Sequence, residues 1–246
     1  MNLQKRKHNA IILLTACINP NGMLFTEIND SDLRLRQYML ALDFYLSETM
    51  LKIVFCENSG FDISTNYIEF IRSGRLEVIT FMGNDYDRML GKGFGEALIL
   101  EKAIQCSKFI RESGYIIKIT GRIIIRNINL IMQTLPLKSE EYIYSSIYSP
   151  AQIAYSVFFI ANQSFFKDFL DRKKEINDFK GIYFEHVLYS TIRDWIAKGR
   201  RFSFFLLPIK YVGVSGSTGQ KYKTESYFKC VCRYLLFKTL GYGRIS

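Results

Sequence analysis

The sequence predicts an α/β fold in which a single domain is built on an open, mostly parallel, doubly wound sheet. In the first half of the 246-residue chain, short apolar runs alternate with helical patterns, which is typical of successive βαβ units. A polar cluster follows each of four such runs. Ligands of doubly wound sheets bind beyond the carboxyl ends of the strands, so the same pattern predicts a ligand site at one edge of the sheet.

The first half supplies four strands and the helices between them. Continuous apolar runs are typical of strands buried on both faces, and these runs are 10–18, 50–56, 76–81 and 115–119. Ser31 or Asp32 is expected to cap the first helix. Two more helices are predicted, one near 66–73 and one from about Glu96 until Gly114 ends it. The polar clusters that follow the strands are Asn19, 57–58, 84–87 and 120–122.

The second half of the chain is less regular. Its predicted elements are a Tyr-rich segment at 142–149, strands at 157–160 and 204–212, a helix that opens at 181–186 and runs through Trp195, and a helix at 222–240. Neither an internal repeat nor a linker divides the chain. We therefore expect one domain over 1–221, followed by a basic, aromatic C-terminal helix within 222–246.

Composition and charge narrow the class of protein. No segment reaches the roughly 20 apolar residues of a spanning helix, and the short apolar run near the N-terminus fits a first strand better than a signal peptide. Five cysteines in no metal-binding spacing favour a reducing cytosol. The net charge of +10 favours an anionic partner, which is nucleic acid, a membrane surface or a phosphorylated small molecule.

A glycine-rich stretch at 83–96 is the strongest local motif. Gly91, Gly93 and Gly95 alternate just before a predicted helix, where backbone N–H groups can approach a phosphate. In the same stretch, Asp85 and Asp87 have the D-x-D form of a metal-bridging pair. The alternative interpretation of the two aspartates is a solvated turn.

Three further side chains carry a chemical expectation. Lys118 lies within an apolar strand, so it should reach a carboxylate or a phosphate. Arg122, at the end of that strand, can hold a phosphate bidentately. A structural ion pair is the alternative for both. Glu185 opens a late helix and can serve as a general base, or it complements the positive end of the helix dipole.

Motifs along most of residues 10–220 carry a family resemblance. In chain order they are TACINP, R-x-R-Q-Y-x-x-A-L-x-F-Y-L, VFCENSG, GKGFGE, KITGR and GVSGSTG. In order and spacing they resemble small transferases of bacterial capsule and O-antigen gene clusters, and more broadly GT-A nucleotide-sugar glycosyltransferases. The resemblance implies a nucleotide-diphospho-sugar transferase-like fold, with a nucleotide-binding half at about 10–130 and an acceptor half at about 131–221.

The resemblance also implies roles for particular residues. Those that would frame the nucleoside are Thr15, Ala16, Glu57 and Asn58, and those that would supply charge for the diphosphate are Arg34, Arg36, Lys92, Lys118 and Arg122. Glu185 matches the late acidic residue that acts as base in inverting members. GT-A enzymes usually hold a divalent cation with a D-x-D after strand four, where this chain has Thr120-Gly121-Arg122. We therefore expect no required cofactor, with Asp85 and Asp87 as the alternative ligands for Mn²⁺ or Mg²⁺.

The function expected from these observations is glycosyl transfer. A nucleoside diphosphate-sugar, with UDP as the first choice, would donate its sugar to a surface polysaccharide or a lipid-linked glycan. The basic, aromatic C-terminal helix would hold a cytoplasmic protein against the anionic inner membrane face, or would simply pack on the core. The alternatives are a nucleotidyltransferase on a related sheet and a nucleic-acid-binding module. The spread of basic residues and the lack of a binding motif argue against nucleic acid as a partner.

Overall fold

The strands of the protein form one large sheet and one small one. The computed structural model describes residues 10–23, 26–135, 142–216, 218–222 and 224–240, with side chains in the last segment as far as Leu235. The large sheet contains β1 (Ala10–Ala16), β2 (Lys52–Glu57), β3 (Leu76–Thr80), β4 (Tyr115–Thr120), β6 (Tyr142–Tyr148), β7 (Ile153–Ala161) and β8 (Arg201–Ser203). The small sheet pairs β5 (Ile124–Ile125) with β9 (Tyr211–Val212).

The large sheet is open and mostly parallel, which confirms the predicted fold class. Its strand order is β3-β2-β1-β4-β7-β6-β8, and β1 to β4 all run in the same direction. β7 is antiparallel to both of its neighbours, with Ile119 of β4 opposite Phe158. The first residues of β7 therefore lie at the edge where β1 and β4 end.

Helices cover both faces of the sheet. Their bounds are α1 (Ser31–Glu48), α2 (Ile68–Arg72), α3 (Gly91–Cys106), α4 (Lys108–Arg111), α5 (Ile128–Thr134), α6 (Gln163–Asp171), α7 (Phe184–Ala197) and α8 (Tyr227–Leu240). Alternate residues of a strand point to opposite faces, so Ile12 of β1 joins the core under α1 while Leu13 joins the core under α3, α6 and α7. No described helix is long and apolar enough to cross a membrane.

Two helix boundaries in the first half differ from the prediction. The cap of α1 is Asp30, whose carboxylate accepts from the amides of Asp32 and Leu33 over 2.9 and 3.0 Å, and not Ser31 or Asp32. The helix predicted from Glu96 begins at Gly91 instead and breaks at Ser107, whose hydroxyl caps α4. Glycine disfavours helix by about 1 kcal/mol, and this weak preference is overridden by packing around the GKGFGE motif.

The second half contains the larger departures. The strand predicted at 157–160 is the end of the nine-residue β7, and the strand predicted at 204–212 is wrong except for Tyr211–Val212. The amphipathic helix α6 was not predicted, although three phenylalanines of this segment are buried. The last helix begins at Tyr227 rather than 222. The division of the chain at 221 stays a prediction.

Candidate functional site

The polar segments that follow the first four strands meet at one edge of the sheet. The amide of Asn58 donates to the carbonyl of Ala16 over 3.1 Å, and the amide of Gly121 donates to the carbonyl of Thr15 over 2.9 Å. The side chain of Asn58 donates to that of Asn84 over 2.9 Å. The ends of β1, β2 and β4 and the loop after β3 thus form one surface, the carboxyl edge.

Glu57 and Asn58 organise the centre of this edge. Glu57 is fully buried, and its carboxylate accepts from the amides of Ile18, Ser59 and Phe61, each over 2.9 Å, and from the Ser59 hydroxyl. Its oxygens are therefore occupied by the protein. Asn58 differs, because its Oδ1 is buried with no hydrogen-bond partner among the described residues. A buried acceptor without a donor is costly, so Asn58, unlike Glu57, has an acceptor that its described neighbours leave unsatisfied.

Two buried arginines lie beside the ring of Tyr38. Arg34 and Arg122 are 6% and 8% exposed, and their guanidinium carbons lie 5.8 and 6.0 Å from the Tyr38 ring centroid. Arg34 donates to the carbonyls of Cys17 and Ile28 over 2.7 and 3.1 Å and to the Tyr38 hydroxyl over 3.3 Å. In the sequence, Tyr38 is an apolar position of a helix. This pattern predicts a core side chain and does not indicate a contact with two arginines.

Arg122 is the less satisfied of the pair. Its Nη1 donates to Gln37 Oε1 over 3.2 Å and to the carbonyl of Val214 over 3.4 Å, while its buried Nε has no partner among the described residues. A Cβ on Gly216 would lie 2.4 Å from Nη2, so glycine at this position allows the backbone to lie next to the guanidinium group. Among described residues, no carboxylate lies within ion-pair distance of Arg34 or Arg122. Buried charges without a counter-ion are strongly unfavourable.

Lys118 has the carboxylate partner that its burial requires. Its ammonium group forms an ion pair with Glu96 of α3, donates to the carbonyl of Ser156 over 2.5 Å, and reaches the Thr120 hydroxyl over 3.3 Å. Thr15 donates to the same Glu96 carboxylate over 3.2 Å. Lys118 has no exposed surface, so the geometry favours the structural ion pair over a direct phosphate contact. Thr15 and Lys118 fix the position of Glu96 at the site.

Glu185 lies in the first turn of α7 and is partly buried. Its Oε1 accepts from the Ser156 hydroxyl over 2.5 Å. Burial raises the pKa of Glu185; the Ser156 hydrogen bond and the charge of Lys118 oppose this shift, and the charge of Glu96 adds to it. A carboxyl whose pKa is raised toward neutrality is suited to proton transfer.

The GKGFGE motif surrounds a carboxylate of the protein. Asp178, 5% exposed, accepts from the amide of Gly93 over 3.2 Å, and its other oxygen is without a partner among the described residues. A Cβ on Gly91 or Gly93 would lie 2.4 or 2.9 Å from the Asp178 carboxylate oxygens. The glycines thus make room for Asp178, which no sequence pattern singles out, at the position where the motif predicts a phosphate.

Lys92 lies in the electrostatic field of both Arg122 and the acidic groups. Burial lowers the pKa of Lys92, and the charge of Arg122 acts in the same direction. The carboxylates of Glu185, Asp178 and Glu96 oppose this shift. One electrostatic cluster therefore contains the predicted cations Lys92 and Arg122 together with the predicted base.

Three predicted residues stand apart from this cluster. Arg36 is exposed on α1, and since residues two apart on a helix do not share a face, it does not lie beside Arg34. Asp85 and Asp87 are exposed, and Asp87 accepts from the amide of Met89 over 3.0 Å, as in a capped turn. The described residues contain no group of three or more His, Cys, Asp or Glu side chains placed to hold a metal. The expectation about metals stays a prediction.

Comparison with known proteins adds little to this geometry. No protein-family model matches the chain, and no curated protein does. Among solved structures, the chain is similar to a cytidylyltransferase from Leptospira borgpetersenii serovar Hardjo-bovis (strain JB197), with a TM-score of 0.45 and 12% identity over 94% of this chain and 95% of that one. A likeness at this level assigns no function to the chain.

Proposed function

We propose that this protein is a transferase that binds a nucleoside diphosphate-sugar at the carboxyl edge and passes its sugar to an acceptor hydroxyl. One observation carries the proposal: the guanidinium groups of Arg34 and Arg122 are buried beside Tyr38 with no carboxylate partner among the described residues. Guanidinium groups pair well with phosphate oxygens. A bound diphosphate would supply the negative charge that the two arginines lack.

Arg122 is the better placed of the two for this contact. A guanidinium group carries five N–H donors, and the hydrogen bonds that Arg122 makes to described residues use only those of Nη1. The donors of Nε and Nη2 have no partner among the residues that the structure describes. When the bond between the sugar and the diphosphate breaks, negative charge builds on the departing diphosphate, and fixed cations stabilise it. Arg122 has that role in the proposal, and Lys92 lies in the same cluster.

Glu185 is the group that would accept the proton. The acceptor oxygen forms a bond to the sugar carbon as the bond to the diphosphate breaks, and the hydroxyl proton passes to the Glu185 carboxylate. Ser156 holds that carboxylate from β7. The raised pKa of Glu185 makes it a stronger base than an exposed carboxylate.

The C-terminal helix is the proposed membrane contact. Tyr227, Phe228 and Leu235 of α8 are 60%, 76% and 53% exposed, and Lys229 is exposed among them. Aromatic and basic residues together suit a lipid headgroup layer. Arg233 does not contribute, because it forms an ion pair with Glu225 at 2.7 Å and packs over the ring of Phe204. Lys223 and Arg244, two further basic residues of the predicted C-terminal segment 222–246, lie outside the described residues.

Calorimetric titration with UDP, GDP, CMP and a short oligonucleotide tests the proposal. We expect one nucleoside diphosphate to bind, and we expect Arg122→Ala to weaken that binding about 100-fold, as loss of one partner of a buried charge pair does. Arg36→Ala is the matched control, since Arg36 is exposed and outside the cluster. Binding of the oligonucleotide alone, or equal effects of the two substitutions, would contradict the proposal.

A further inference from the structure

A cavity lies next to the carboxyl edge. It has a volume of about 460 Å³ and is bounded by β6, β7 and the start of α8. Four tyrosines dominate its polar lining, namely Tyr148, Tyr155, Tyr211 and Tyr222. The volume is within the range of about 300–1,000 Å³ that small-molecule sites occupy.

Tyr222 connects this cavity to the proposed catalytic cluster. It lines the cavity, and its ring centroid lies 5.4 Å from that of Tyr211. Burial raises the pKa of Tyr222, and the charges of Glu96 and Glu185 add to this shift. A hydrogen bond with Ser215 and the charge of Arg122 oppose it. The same side chain therefore borders the cavity and lies within the field of the charged cluster.

The register of β7 gives the second connection. Tyr155 and Val157 line the cavity, while Ser156 between them bonds Glu185 on the other face of the sheet. Successive side chains of a strand point to opposite faces. These residues lie at the end of β7 that meets the ends of β1 and β4. The cavity and the base are thus held by consecutive residues at the same edge of the sheet.

The lining selects an uncharged ligand with both apolar and hydroxyl surface. Among the described residues of the lining, the charged groups are Glu225 and Arg233, which neutralise each other in an ion pair at 2.7 Å. The exposed fractions of Tyr148 and Tyr155 are 52% and 44%, so both rings present surface to a ligand. A tyrosine offers an apolar ring and a hydroxyl at its tip. A sugar ring is complementary, because it has C–H faces and hydroxyl edges.

We infer that this cavity binds a neutral saccharide ring, which is the part of the acceptor next to the reacting hydroxyl. The role of the saccharide as acceptor rests on the proposed function, whereas binding of a saccharide in the cavity does not. An alkyl chain of a lipid carrier is a different occupant. The tyrosine hydroxyls and the paired charges favour the saccharide over the alkyl chain.

Saturation-transfer NMR on the full chain tests this site with simple probes. The probes are methyl β-glucopyranoside, methyl β-galactopyranoside, the methyl glycoside of N-acetylglucosamine, and 1-hexanol in place of a lipid chain. We expect at least one glycoside to receive saturation at its ring protons. Tyr155→Ala should weaken its binding about tenfold by removing an aromatic contact, and Val157→Trp should block the cavity. Tyr227→Ala is the matched control, because Tyr227 is an exposed tyrosine of α8 outside the lining.

Three outcomes would overturn the inference. One is the absence of glycoside binding, the second is binding that Tyr155→Ala and Val157→Trp leave unchanged, and the third is binding of hexanol in preference to every glycoside. Titration of the same samples with UDP and with GDP separates this test from the proposed function. UDP binding without glycoside binding defeats only the saccharide site. Glycoside binding that both cavity variants weaken, without binding of any nucleoside diphosphate, supports the site and defeats the proposed function.

Discussion

Replacing Arg122 by Met shows whether its buried guanidinium group serves a ligand or the fold. The side chain is 8% exposed and makes two hydrogen bonds of 3.2 and 3.4 Å to uncharged groups. Met occupies a similar space without charge. If the arginine is kept for an anionic ligand, removing it should cost the ligand-free protein little. If it is kept for the fold, removing it should destabilise the ligand-free protein.

The magnitude follows from two opposing contributions. A hydrogen bond to a charged group is worth about 1.5–3 kcal/mol, so loss of two long ones, at the low end of that range, costs about 3 kcal/mol in total. Removal of an unpaired buried charge restores several kcal/mol. We therefore expect the free energy of unfolding of Arg122→Met to stay within about 1 kcal/mol of the wild type or to rise. Lys118→Met is the contrast, because it leaves Glu96 without its buried partner and should cost about 3 kcal/mol.

Urea unfolding followed by circular dichroism, with and without UDP, measures both effects. At 100 times its dissociation constant, UDP should stabilise the wild type by about 2.7 kcal/mol, and Arg122→Met should lose nearly all of this. The reasoning is refuted if Arg122→Met destabilises the ligand-free protein as much as Lys118→Met does, or if UDP stabilises Arg122→Met as much as the wild type.

Three more predictions concern the base, the glycine motif and the C-terminal helix. Glu185→Gln should bind UDP normally and lose nearly all transfer. In the wild type, kcat should fall as the pH decreases through the pKa of Glu185. Burial disfavours the ionised base, so this pKa should lie above the ordinary carboxyl value of 4.5. Gly93→Ala should destabilise the protein by about 1–3 kcal/mol in urea, since the new Cβ would meet Asp178 at 2.9 Å. Phe228→Ala should weaken co-sedimentation with anionic vesicles, because Phe228 is 76% exposed.

Each of these has an outcome that contradicts it. Near-wild-type turnover of Glu185→Gln removes Glu185 from the mechanism. Helix propensity alone predicts that Gly93→Ala stabilises α3 by about 1 kcal/mol, so a rise in unfolding free energy would show that Asp178 does not crowd this position. The membrane contact is not α8 if the full chain does not bind anionic vesicles. The same conclusion follows if Leu130→Ala, on a different exposed surface, weakens co-sedimentation as much as Phe228→Ala does.

The first half of the fold could be predicted because its signals are local. The apolar run that contains β1 has no polar face, and the structure buries Ile12 in one core and Leu13 in the other. Lys118 could be singled out because a lysine in such a strand needs a partner, and it has one in Glu96. The convergence of the strand ends follows from parallel topology alone.

The features that were missed depend on long-range contacts. Asp178 lies 85 residues from Gly93, to which it is bonded, and no local pattern connects the two. The segment 204–212 has the apolar composition of a strand because several of its side chains are buried. Phe204 and Phe205 lie in different cores, but only Tyr211–Val212 of the segment forms a strand. In α6, charged neighbours obscured a stripe of buried phenylalanines. Strong hydrophobicity marked these segments as buried without specifying helix or strand.

Phosphorus NMR of the reaction products tests the central claim most directly. The protein is incubated with a set of UDP-sugars and methyl glycosides, and in parallel with nucleoside triphosphates and sugar 1-phosphates. A transferase acting on nucleoside diphosphate-sugars should release UDP in the first set, and Arg122→Met should abolish that release while Arg36→Ala retains it. Pyrophosphate released only in the second set would contradict the account and assign the carboxyl edge to nucleotidyl transfer.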